Sequence, residues 1–264
     1  MMMKKAFIFY LLLFLFFSCR KKENLNFLPT TTPTYLIKII DSIQTTSQEN
    51  RTLYNYTASG LVNKIIYNNQ YGFVMPPAWG NYEYRIEYNS QDLPVKTFAK
   101  NNNDSERLYS VIEYDLIGRK VRETYGNGSV FYTFTYDANG RCIADTQYRR
   151  VGTFEAIDFY YIYRYDTRGN VVEMKTIDPN WYSTDIVWFK YDSAVNPFNR
   201  IRHYHLYNFG AEPKSLNNIT SMFNPVNGTI IENRVYEYNS ENLPVRAVIN
   251  YGSSQPLIRT FFYN

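Results

Sequence analysis

The chain has 264 residues, of which 45% are apolar, 18% aromatic and 20% charged, with a formal net charge of +4. That composition excludes a disordered tail and suffices for one large all-β domain or two small ones. Tyr supplies 27 positions and Asn about 28, a bias toward half-buried strands joined by tight turns and away from long helices.

Lys4 and Lys5 precede an unbroken apolar run, Ala6 to Phe17, that ends at Ser18-Cys19. The run is shorter than the roughly 20 residues a bilayer span takes, so it predicts a secretory signal peptide over residues 1–18. Leu15-Phe16-Phe17-Ser18-Cys19 resembles a bacterial lipobox, with Phe16 where the usual pattern has Leu. The resemblance implies that Cys19 is diacylated and begins the mature chain. Residues 19–34, with Pro29, Pro33 and a Thr cluster, then read as a lipid-anchored tether ahead of a β domain over 35–264. Loss of Lys4 and Lys5 lowers the formal charge from +4 to +2, which leaves no electrostatic footprint for nucleic acid. Cys142 is the one other cysteine and is expected to act as a small buried hydrophobe without a disulfide partner.

From residue 56 onward the chain repeats itself. A Tyr followed by Asp, Asn or Thr, with Gly, Asn or Asp three places further on, occurs at Tyr56-Thr57, Tyr88-Asn89, Tyr114-Asp115, Tyr136-Asp137, Tyr165-Asp166 and Tyr238-Asn239. Tyr191-Asp192 starts a seventh unit but has Val195 at the turn position. Before the Tyr the alternation has period two: Tyr82, Tyr84, Ile86 and Tyr88 share one face, Glu83, Arg85 and Glu87 the other. Each unit is therefore strand, turn, strand. Its Asp bonds turn amides and its Gly supplies positive φ, and this assigns structural turns to Tyr114, Asp115 and Gly118, to Tyr136, Asp137 and Gly140, and to Tyr165, Asp166 and Gly169. The anchors lie 22 to 32 residues apart up to Tyr191, and 47 from Tyr191 to Tyr238. Such spacing suits hairpins better than four-stranded propeller blades, and the long gap predicts an insertion with irregular or short helical structure within 192–235. Seven units imply about 14 strands in an antiparallel meander, too wide for a flat sheet, so the expected fold is all-β: one long curved sheet or an open barrel-like shell.

Tyr114-Asp115-Leu116-Ile117-Gly118-Arg119 and Tyr136-Asp137-Ala138-Asn139-Gly140-Arg141 resemble the YD-repeat, or RHS-repeat, family, over about residues 50–250. More narrowly, with Tyr191-Asp192-Ser193-Ala194-Val195-Asn196-Pro197-Phe198, the chain is similar to uncharacterised exported lipoproteins of Bacteroidota. The resemblance implies fold and an outer-membrane lipoprotein address, periplasmic or surface-facing, more than an activity. The 14 residues after Asn250 are too few for the toxic domain of RHS toxins.

Catalytic signals are sparse. His203 and His205 would share one face of a strand, but no nearby Cys or third His completes a metal site. There is no Gly-x-Ser-x-Gly elbow and no Gly-rich phosphate loop, so neither a cofactor nor a metal is expected. Asp115, Asp137, Asp166 and Asp192 are accounted for by turns, and Glu83, Glu87, Glu113 and Glu173 by solvated strand faces. The aromatic segments Gly72 to Gly80, with Phe73 and Trp79, and Asp178 to Tyr182, with Trp181 and Tyr182, are the candidate ligand contacts. The expected function is a non-catalytic binding module for a glycan or an envelope protein, held to the membrane by its lipid. The alternatives are a structural scaffold packing on a partner protein and a glycan-active enzyme.

Overall fold

The repeated turns set the architecture. The computed structural model describes residues 34–43, 49–69, 80–101, 104–203, 212–252 and 254–264. The expected signal peptide, Cys19, most of the expected tether, Phe73, Trp79 and His205 lie outside them. Sixteen strands follow in order: β1 (Leu36–Ile43), β2 (Glu49–Tyr56), β3 (Val62–Asn69), β4 (Gly80–Tyr88), β5 (Pro94–Asn101), β6 (Arg107–Tyr114), β7 (Lys120–Tyr125) and β8 (Val130–Tyr136). Then come β9 (Cys142–Val151), β10 (Phe154–Tyr165), β11 (Val171–Asp178), β12 (Ser183–Val195), β13 (Asn217–Phe223), β14 (Ile230–Tyr238), β15 (Pro244–Asn250) and β16 (Leu257–Tyr263). Every strand pairs antiparallel with its sequence neighbours, and β1 pairs with β16, from Leu36 opposite Tyr263 to Ile43 opposite Leu257. The sheet is thus a closed barrel, not the open shell or long curved sheet expected. The expectation of about 14 strands falls short because the eighth unit is split, its two strands being the first and last of the chain. Closure leaves no unpaired sheet edge.

All six regular turns have one geometry. The residue after the Tyr donates its amide to the carbonyl four places on, as from Asp115 to Arg119 at 2.9 Å and from Asp137 to Arg141 at 3.0 Å. The residue four places after the Tyr has positive φ in every case, as Gly60, Asp92, Gly118, Gly140, Gly169 and Asn242, where glycine carries no steric cost and Asn and Asp a small one. The carboxylates of Asp115, Asp137 and Asp166 each accept two turn amides at 2.8–3.1 Å. Those amides and the neighbouring Arg119 and Arg141 hold Asp115 and Asp137 below the usual carboxylate range.

Just past each turn comes a bulge. Tyr114 pairs with Lys120 but Glu113 with Arg122, leaving Val121 over, and the same slip leaves over Val95, Ile143, Val172 and Val245. The bulge re-phases the outgoing strand. The inward positions become the sixth and ninth after the Tyr, as in Val62 and Ile65, Pro94 and Thr97, Lys120 and Glu123, Pro244 and Ala247, all buried.

Leu36, Ile39, Tyr54, Val62, Ile65, Tyr84, Ile86, Ala99, Ala247, Ile249 and Phe261 form the larger interior core. Phe198 and Ile201 belong to it too, although they come from the β12–β13 connection. That connection replaces the seventh turn. Only residues 196–216 form the insertion, with 3-10 turns at Pro197–Arg200 and Glu212–Lys214; the rest of 192–235 is strand apart from the β13–β14 turn at 224–229. Asp192 therefore sits in β12 rather than in a turn, accepting from the amides of Ala194 and Asn218 and from the Tyr238 hydroxyl. His203 lies in the turn after the first 3-10 segment with φ of 63°, so it is not on a strand as the two-His reading supposed.

Candidate functional site

The two ends of the barrel differ. At the end carrying the repeated turns, each anchoring tyrosine reaches back to the preceding hairpin. The hydroxyls of Tyr56, Tyr88, Tyr114, Tyr136, Tyr165, Tyr191 and Tyr263 donate to the carbonyls of Leu36, Val62, Pro94, Lys120, Cys142, Val171 and Pro244, at 2.6–2.8 Å. Tyr238 donates to the Asp192 carboxylate instead. The latches run round the whole ring. Burial pushes these phenols above their ordinary value, so they stay protonated donors across the physiological range.

The insertion straps this end. From β12 it runs past β1 to the β4–β5 turn, eight strands away, where the Arg202 guanidinium meets the Asp92 carboxylate at 3.0 Å. Its return limb is fastened inside. Lys214 Nζ lies 3.4 Å from Asp145 Oδ2 on β9, and Glu212 pairs with Arg234 on β14 at 2.5 Å. Burial acts to raise the Glu212 carboxyl, but Arg234 and Arg259 outweigh it and hold it below the ordinary carboxylate range. Asn196 and Asn199 side-chain amides close the loop onto the Ser215 carbonyl.

Sequence reasoning placed acids on turns and outer faces and missed those inside. Lys120 and Glu123 pair at 2.8 Å with side chains 2% and 3% exposed. Asp41 takes a two-pronged bond from Arg259 at 2.7 and 3.0 Å, and Glu232 pairs with Arg234. Asp145 also accepts the Tyr163 hydroxyl at 2.8 Å. Each of these carboxylates is matched by a cation, as burial demands. No sequence signal marked them; the bulge phase seen in the structure puts position nine after Tyr114 and Tyr136, Glu123 and Asp145, indoors. No group of three or more His, Cys, Asp or Glu able to hold a metal occurs among the described residues. Burial pushes the Cys142 thiol up to about 11.

The outer wall is charged. Lys64 pairs with Glu83 at 2.6 Å, Arg85 with both Glu87 and Glu106 at 2.7 Å, Arg164 with Glu173 at 3.2 Å and Arg246 with Glu237 at 2.6 Å. A membrane-spanning barrel carries an apolar band there; on this wall the ion pairs stand among exposed apolar side chains such as Ile162, Trp188 and Val235 and break up any such band.

The far rim, away from the strap, carries the exposed apolar side chains of the β9–β14 hairpins. Trp181 is 81% exposed and Tyr182 95%, at the β11–β12 tip, where Asp178 Oδ1 accepts the amides of Asn180 and Trp181. The β3–β4 connection, which contains Phe73 and Trp79, joins strands eight places round the ring from β11–β12, so the two aromatic segments do not spring from neighbouring hairpins. The neighbours of Trp181 are instead Val151 and Phe154 at the β9–β10 tip and Val226 at the β13–β14 tip.

Comparison with solved structures finds the same fold elsewhere. A porin-like protein from Bacteroides uniformis aligns over 89% of this chain and 98% of its own, with a TM-score of 0.52 and 11% identity. At that identity the likeness is one of fold alone. A porin-like protein from Bacteroides vulgatus aligns over 88% and 99% at 13% identity, with a TM-score of 0.39. The Tc holotoxin pore of Photorhabdus luminescens aligns over 83% of this chain and 10% of its own at 15% identity, with a TM-score of 0.32. No family model and no curated protein matches the chain. The resemblance to YD-repeat lipoproteins is therefore overturned. No repeat family is found, and the hairpins close into a sixteen-strand barrel that shares its fold with a porin-like protein rather than a repeat shell.

Proposed function

We propose that this chain is a non-catalytic envelope protein, held at the outer membrane by a lipid on Cys19, whose barrel stands outside the bilayer and presents its far rim as a contact face. The observation that carries the reading is the ion-paired charge on the outer wall of the barrel. Ion-paired charges on the outer wall would be stripped of water by acyl chains, and the interior holds tyrosines, an aliphatic core and a strap fastened across one end. That arrangement supports a rigid presenting scaffold rather than a conduit. The pairing of the interior acids with Lys and Arg supports a folding role for them, leaving the exposed rim as the surface for recognition.

Two measurements test this. Cys19→Ala should move the protein from the membrane fraction to the soluble one; persistence in the membrane fraction without lipid label would refute the anchor. The unlipidated barrel, residues 34–264, should sediment with isolated cell envelopes, and Trp181→Ala/Tyr182→Ala should abolish that at unchanged melting temperature. Equal sedimentation of wild type and variant would remove the rim from the reading.

A further inference from the structure

We infer that the rim formed by the β9–β10, β11–β12 and β13–β14 tips is a lipid-facing surface that seats the barrel in the interfacial layer of a bilayer. This rests on the reading of the rim as the contact face and names its partner. Three successive hairpins each end in two exposed apolar side chains: Val151 and Phe154, Trp181 and Tyr182, Val226 and Ile230. Successive tips lie two strands apart, about 10 Å, so the row extends for about 20 Å.

The form of the row argues for a deformable partner. Gly152, Asn180 and Asn227 stand among the apolar groups, so the surface is a set of separate prongs rather than one continuous face. A rigid protein surface makes a dry, closely packed core against a continuous patch, whereas headgroups and acyl ends close round each prong. Composition argues the same way. Trp and Tyr collect at the boundary between headgroups and hydrocarbon, and Phe and aliphatic side chains reach just below it. Half of the six residues are aliphatic, with no flat face to stack on a sugar ring.

Charge is consistent with a neutral bilayer. Behind the first tip, Arg149 pairs with Asp158 at 3.0 Å and Arg150 with Glu155 at 2.5 Å. These cations are neutralised within the protein, so the site makes no call on anionic lipid.

The test uses the unlipidated barrel, residues 34–264, whose ring is completed by its own first and last strands, with vesicles of phosphatidylcholine. Wild type should co-sediment with the vesicles and its tryptophan emission should shift to the blue. Phe154→Ser/Trp181→Ser/Val226→Ser should weaken partitioning at least about tenfold, since interfacial binding scales with buried apolar area. Leu116→Ser/Ile117→Ser, which removes exposed apolar side chains at the strapped end, should bind as wild type does. Absence of wild-type sedimentation, an unaffected triple variant, or equal loss in the Leu116 and Ile117 control would each overturn the inference. Rim-dependent binding to isolated envelopes without vesicle binding, or a glycan-array hit lost in Trp181→Ala without vesicle binding, would also overturn it while leaving the contact-face reading intact.

Discussion

Leu36, which opens the first strand, pairs with Tyr263 at the end of the last, and the Tyr263 hydroxyl donates to the Pro244 carbonyl at 2.8 Å. The chain's two ends therefore build the eighth hairpin between them. Deleting Leu257–Asn264 removes β16 and exposes β1 and β15 as edges, which template pairing with other chains. The truncated protein should lose its cooperative melt and aggregate on purification, measured by calorimetry and size-exclusion chromatography.

The tyrosine latches make a second prediction. Tyr136→Phe keeps the ring, which lies 5.2 Å from the Arg119 guanidinium, and removes the bond to the Lys120 carbonyl. The loss should be about 1 kcal/mol in urea unfolding. Tyr136→Ala removes the ring as well and should cost about 3 kcal/mol or more.

Two glycines separate backbone strain from crowding. Gly60 and Gly140 have φ of 78° and 80°, but a Cβ at Gly60 would run into the Tyr35 hydroxyl, while one at Gly140 meets nothing within 4 Å. Gly140→Ala should cost about 1 kcal/mol for the left-handed backbone alone. Gly60→Ala should cost more, because Tyr35 must also leave its stack on Tyr56, 4.8 Å between centroids. Equal melting temperatures for the two variants would refute the distinction.

The repeated turns were legible because their chemistry is local: a residue with positive φ four places after the Tyr and an acceptor one place after it. The hairpins and antiparallel order follow from those residues alone. Closure was not legible, because Leu36 and Tyr263 lie at opposite ends of the chain and no local pattern reports their pairing. The alternation read before each Tyr does not carry past the turn, since the bulge at Val121 brings Lys120 and Glu123, three residues apart, to the same interior. The strap was foreseen as an irregular insertion, but its seat across the ring depends on Arg202 meeting Asp92 and Lys214 meeting Asp145. Those contacts exist only once the barrel does. Of the candidate ligand residues, Trp181 and Tyr182 are exposed on the far rim, next to Phe154 and Val226, which sequence reasoning did not single out because one apolar residue in a turn carries no signal by itself.

The buried pair of Lys120 and Glu123 should behave asymmetrically. Burial lowers the Lys120 amine, while Glu123 beside it favours the charged form. Glu123→Leu removes the buried carboxylate that Lys120 donates to and should cost about 3–5 kcal/mol. Lys120→Met/Glu123→Leu removes both charges at similar volume and should recover most of that loss. A double variant no more stable than the single one would show that the pair's other interior contacts, rather than its charge balance, set the stability.

Acid should undo the turns. Asp137 titrates below its ordinary value because the amides of Arg141 and Asn139 and the Arg141 guanidinium, 2.7 Å away, favour the carboxylate. A carboxyl depressed on folding contributes stability that is fully present above its unfolded value, near 4, and is lost as pH falls through the folded one. Asp115 follows the same rule, and so do Asp166 and, on the strap, Glu212, each depressed although burial acts to raise it. Stability measured by urea unfolding should therefore be flat near neutral pH and fall below about pH 4, with a slope set by proton uptake at these sites. Asp137→Asn keeps an amide-accepting oxygen but cannot titrate, so its stability should start lower at pH 7 and fall less steeply in acid than that of wild type. Parallel curves for the two proteins would mean that Asp137 carries the same proton affinity folded and unfolded, and the turn carboxylates would then have no part in acid sensitivity.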